Sequence, residues 1–185
     1  MLSSFKKRLD RKDDEGFTLI ELMVVVLIIA ILLAIAIPTF LGAKNSANAR
    51  ATQSNLRNAL TAEQTVWTNS QDFSATTDTT PVTGLKGVEA SLNWVTTAPA
   101  AGSSDVMVSV GDSNQVVELE AMSKDGNCYI ILQSNDPASS YTAYSAQKGS
   151  ACPASTLTSS FTASTDAPVS GHAASNTSGG WYTSW

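Results

Sequence analysis

Sixteen consecutive apolar side chains, Leu22 to Ile37, run through this sequence without one polar interruption. Such a run ends up either inside a large core or inside lipid, and a chain of 185 residues supports only one modest domain. As a helix, residues 17–37 cover about 31 Å at 1.5 Å per residue, enough to cross a hydrocarbon core of roughly 30 Å. A secretory signal has an apolar region of roughly 7–15 residues with a small-residue cleavage site after it, so this run is too long for one. The basic residues Lys6, Lys7, Arg8, Arg11 and Lys12 precede it. That asymmetry keeps the first residues cytoplasmic and puts everything after Pro38 outside.

Two residues are wrong for a plain anchor. Glu21 lies in the hydrocarbon zone, where a carboxylate costs on the order of 2.5–3.5 kcal/mol and is therefore a functional residue by default. Pro38 interrupts an otherwise helical pattern, removes one backbone hydrogen bond and loosens the turn before it.

The segment Gly16-Phe17-Thr18-Leu19-Ile20-Glu21, with basic residues upstream and an apolar run ending at Pro38, resembles type IV prepilins and the related pseudopilins. The resemblance covers 16–69. It implies that a prepilin peptidase cuts after Gly16 on the cytoplasmic side and methylates the new N-terminus at Phe17. It also implies that the product polymerises with itself into a helical filament, delivered from the inner membrane by a pilus assembly platform to the cell exterior. Glu21 then becomes the fifth mature residue and Pro38 the twenty-second. The leader is longer than is usual for the family and ends in the acidic Asp13-Asp14-Glu15.

Cleavage creates a cationic amine on Phe17 that is buried once a filament forms. A buried amine and a buried carboxylate are each costly alone, and a close pair recovers much of that cost. The resemblance accordingly implies that Glu21 meets the Phe17 amine of a neighbouring subunit and sets its register. The alternative is that Glu21 complements the start of its own helix, worth roughly 0.3–1 kcal/mol.

Helical spacing continues after Pro38. Leu56, Ala59, Leu60, Glu63, Val66 and Trp67 follow i, i+3, i+4, with polar residues between them. From Phe17 to Asn69 this predicts a helix of about 80 Å, longer than a small domain can cover. The bare half must find lipid or other subunits. Beyond it, strands are predicted over 106–110, 115–122, 128–133 and 141–146, with a short one over 92–95. Residues 111–114 and 124–127 read as the turns of an antiparallel meander. The predicted fold is α+β and pilin-like, a long N-terminal helix, transmembrane in its first half and amphipathic in its second, packed on a small antiparallel sheet.

The segments read as a leader over 1–16, a filament-core helix over 17–38, its amphipathic half over 39–70, a head over 71–152 and a Ser/Thr/Ala/Gly-rich tail over 153–185. Trp181, Tyr182 and Trp185 break the blandness of that tail and are expected to dock it on the sheet. Asn176-Thr177-Ser178 fits a glycosylation sequon, a short pattern that arises readily by chance. Cys128 and Cys152 both lie beyond the export segment, in an oxidising compartment, and are predicted to form a disulfide.

Several function classes are excluded. Without the first sixteen residues the chain keeps six of its eleven basic residues and twelve of its sixteen acidic ones, so it offers no surface for gripping nucleic acid. His172, the only histidine, lies in the tail, and no Ser-His-Asp triad can be assembled elsewhere. No zinc-spaced Cys/His cluster or phosphate-cradling loop occurs. Asp136, beside the carbonyls around Pro137, is too little for a calcium site of the kind some pseudopilins carry. The sequence therefore predicts no enzyme, cofactor or metal, but a structural filament subunit, most simply a major pilin. The rivals are a minor pilin or pseudopilin and, in another class, a membrane-tethered binding protein that never polymerises.

Overall fold

The computed structural model describes residues 16–74, 84–111, 114–137, 139–149, 152, 169–172 and 182–184. Helix α1 spans Leu19–Ser70 and is followed by a single turn, α2, at Leu85–Val88. The strands are β1 Asn93–Val95, β2 Asp105–Gly111, β3 Val116–Met122, β4 Cys128–Asp136, β5 Ser139–Gln147, β6 Val169–His172 and β7 Tyr182–Ser184. The chain divides into two compact units, one ending at Ala43 and the other starting at Lys44.

In the first unit α1 is apolar all round, and none of its large side chains is buried. The unit has no core of its own. A helix satisfies its backbone groups internally, which is what a segment surrounded by lipid must do. Pro38 lies inside α1 and has no N–H to donate. Beside it the Thr39 hydroxyl donates to the carbonyls of Ile35 (3.3 Å) and Ala36 (2.9 Å).

In the second unit one stripe of α1 is buried, formed by Thr52, Leu56, Ala59, Leu60, Ala62, Glu63 and Val66. The predicted stripe is present, with Trp67 at its margin, 4.8 Å from the Phe73 ring. The helix tolerates its many Thr residues because their hydroxyls return to carbonyls one turn back, as Thr61 does to Arg57 and Thr65 to Thr61. Gln71, at φ 61°, ends the helix in the left-handed conformation, and its N–H donates to the Trp67 carbonyl at 2.7 Å.

The sheet order is β1-β2-β3-β4-β5-β7-β6. Strands β2 to β5 form the predicted antiparallel meander, with Leu119 opposite Ile131 and Ile131 opposite Tyr144. The sheet as a whole is mixed rather than antiparallel throughout, because β1 runs parallel to β2 and β6 parallel to β7. At β1 the Asn93 side-chain amide donates to Asp105 (2.6 Å), and the link over 96–104 is tied back by the Ala100 N–H to the same carboxylate (3.1 Å).

One sheet face, carrying Val106, Val108, Val117, Leu119, Tyr129, Ile131 and Ala146, packs with the α1 stripe. The other face is also covered. There Val116, Leu132 and Ala143 form one cluster, and Cys128, Ile130 and Cys152 form another with Met122 at its edge. Glu118 and Glu120, on this second face, are fully buried.

Candidate assembly site at the start of the helix

Gly16, Phe17 and Thr18 precede the first turn of α1. Thr18 is its N-cap. The Thr18 hydroxyl accepts the Glu21 N–H at 3.3 Å, while Glu21 Oε2 accepts both the Thr18 N–H (2.9 Å) and the Thr18 hydroxyl (2.7 Å). This is a reciprocal capping box, a T-x-x-E pattern that satisfies two of the helix's orphan donors. Helix-end complementation by Glu21 is expected from the sequence, but Thr18 as the other half of the box is not among those expectations. The spacing Thr18-Leu19-Ile20-Glu21 was the signal for it.

Phe17, Ile20, Val24 and Val25 line a shallow apolar depression together with Glu21, and Phe17 is 89% exposed. The Glu21 carboxylate is thus a lone charge on an otherwise apolar stretch of α1. Oε1 of Glu21 enters no hydrogen bond among the described residues, so the carboxylate can keep its cap and still accept another donor. At Gly16 an added Cβ would meet nothing within 4 Å. Packing within the chain therefore places no demand for glycine there.

Within the head, the disulfide between Cys128 and Cys152 joins the first residue of β4 to the chain beyond β5, with Cα atoms 5.0 Å apart. Asp136 closes β4. His172 contributes backbone to β6, and Tyr182 pairs with Tyr144 through β7, returning the end of the chain to the sheet. Residues 1–15, the sequon 176–178, Trp181 and Trp185 lie outside the described residues.

Residues 11–37 match the family model of the prokaryotic N-terminal methylation motif. Over 92 residues the chain is 30% identical to the type IV wide pilus major component PilA4 of Thermus thermophilus, an alignment covering 50% of this chain and 70% of the relative. The chain belongs to the type IV pilin family. No solved structure matches it.

Proposed function

We propose that this pilin is the major structural subunit of a type IV pilus. A prepilin peptidase cuts it between Gly16 and Phe17, leaving 169 residues, and methylates the Phe17 amine. The apolar half of α1 holds the product in the inner membrane until the assembly platform transfers it to the filament. There the helices pack together, and Glu21 receives the Phe17 amine of a neighbour.

One observation carries this reading: the large apolar side chains of α1 up to Leu41 are all about half exposed or more, from 49% at Val24 to 73% at Leu19. At roughly 25 cal/mol per Å² of apolar surface, leaving such a helix in water is prohibitive, so it must lie in lipid or against copies of itself. The free Oε1 of Glu21 and the packing-indifferent Gly16 support the assigned roles. The Thermus relative, named as the major component of its pilus, supports the major-subunit assignment.

The test is mass spectrometry of sheared surface filaments. The expected species begins at Phe17, carries one added methyl group and dominates the preparation. A processed chain that stays in the membrane, or that appears in filaments only in trace, would overturn the major-subunit reading.

A further inference from the structure

Glu120 is fully buried, and among the described residues neither of its carboxyl oxygens has a hydrogen-bond partner. Buried polar groups are almost always paired, and one that is not needs a reason. Its position follows from strand register. Glu120 pairs with Ile130 and Met122 with Cys128, so Glu120 and Cys128 are diagonal neighbours on the sheet face that points away from α1. Cys152 closes over the same spot. A Glu120 oxygen and the sulfurs of Cys128 and Cys152 lie within 4.8 Å of one another. The sulfurs are bonded to each other and offer no thiolates, so the trio holds no metal in this state.

We propose that Glu120 is the proton donor and acceptor for opening and closing the Cys128–Cys152 disulfide. Cys152, 5% exposed against 0% for Cys128, is the half of the bridge that an external thiolate meets first. In opening, that thiolate attacks Cys152 Sγ, the S–S bond breaks, and Cys128 Sγ leaves with the electron pair. A thiolate in so apolar a place is costly, and Glu120 gives it a proton, leaving Cys128–SH and a carboxylate. A second thiol of the reductant then releases Cys152, so the dithiol is oxidised and the bridge reduced. Closing is the reverse. Glu120 takes the proton from Cys128, whose sulfur attacks the mixed disulfide on Cys152 and expels the external thiol.

Two features suit Glu120 to this work. Burial first, and then the charge of Glu118 two residues away, push its carboxyl up to about 8, close to an ordinary thiol. Proton exchange with cysteine is therefore nearly balanced, and at neutral pH the group holds a proton to give. A plain surface glutamate would have none.

The full chain in detergent is opened with dithiothreitol at pH 6 to 10, and the second-order rate is expressed per reductant thiolate to remove the reagent's own titration. The wild-type rate should be constant up to about pH 7 and then fall as Glu120 loses its proton. Glu120→Gln keeps the shape but has no proton to give. Its rate should be about tenfold or more lower at pH 7, flat with pH, and level with wild type near pH 10. Glu118→Gln should move the fall of the wild-type profile to lower pH, which a purely structural role for Glu120 does not predict. Identical profiles for wild type and Glu120→Gln overturn the proposal. So does an equal slowing of Glu120→Gln at every pH, because that reports altered packing.

Discussion

Oε2 of Glu21 holds both donors of Thr18, at 2.9 and 2.7 Å, while Oε1 is left over among the described residues. The two roles open to Glu21, cap of its own helix and partner of a neighbour's amine, therefore use different oxygens and can be separated by mutation. Thr18→Ala removes the hydroxyl half of the cap, at about 1 kcal/mol of helix-end stability, and leaves the carboxylate free. Filament yield should change little. Glu21→Ala should leave cleavage and membrane insertion intact and abolish filaments, since an unpaired buried amine costs about 3–5 kcal/mol at every subunit. Equal filament loss in both variants would reduce Glu21 to a cap.

Among the described residues, Gly16 makes no contact that a Cβ would disturb. Substitution by a bulky residue should therefore leave expression and membrane insertion unchanged and block processing alone. Immunoblots should show only the full-length precursor, and no surface filament. Normal cleavage of such a variant would place the scissile bond elsewhere.

In the single chain α1 is helical through Pro38, with Thr39 bonded back to Ile35 and Ala36. Proline leaves the Ala34 carbonyl without its i+4 donor, so this is the weakest part of the ladder. Residues 30–38 are expected to stretch on assembly. A filament reconstruction in which residues 30–38 keep the helical rise, with only the Ala34 bond missing, would show that they do not.

The disulfide closes a loop with 23 residues between its cysteines. Chain-entropy arguments give it about 3 kcal/mol of head stability. The Cys128→Ser, Cys152→Ser double variant should lose that much in denaturant unfolding of the detergent-solubilised protein. A loss well below 1 kcal/mol would mean that packing alone holds the segment around Cys152.

Much of this was legible because the signals are local and periodic. The stripe from Leu56 to Val66, Glu63 included, follows from helical spacing, and the reading of 17–69 as one helix differs from Leu19–Ser70 only at its ends. The meander followed from alternation and turn residues such as Gly126, which sits at φ 81°. Two things were hidden. Val117-Glu118-Leu119-Glu120 alternates as a half-exposed strand does, yet both glutamates are buried. Among the described residues the cover over Glu120 is Cys152, more than thirty residues on in the chain, and it leaves no mark on β3 itself. The parallel edge at β1 was hidden for the same reason, since pairing direction is set by where the 96–104 link returns the chain.

Glu120 carries a pH dependence of definite sign. Burial pushes Glu120 up to about 8, whereas in the unfolded chain it titrates near 4.5. Between these values the folded head holds a proton that the unfolded chain has lost, so stability falls as pH rises. The contribution is whole below about pH 4.5, declines across the interval, and has nothing further to lose above about 8. Asp105 works the other way, since the Asn93 amide holds its carboxyl below the usual range, and its stabilisation is lost only as the solution is made strongly acidic. Unfolding midpoints of the detergent-solubilised chain should therefore drop from pH 5 to pH 8. Glu120→Gln has no such titration and should shrink the drop, the rest of which stays with Glu63, also pushed up to about 8 by burial, and it should gain on wild type at pH 8 while differing little at pH 5. A variant that loses stability equally at both pH values would show that the Glu120 side chain is held by contacts, and that its ionisation is not what the folded head resists.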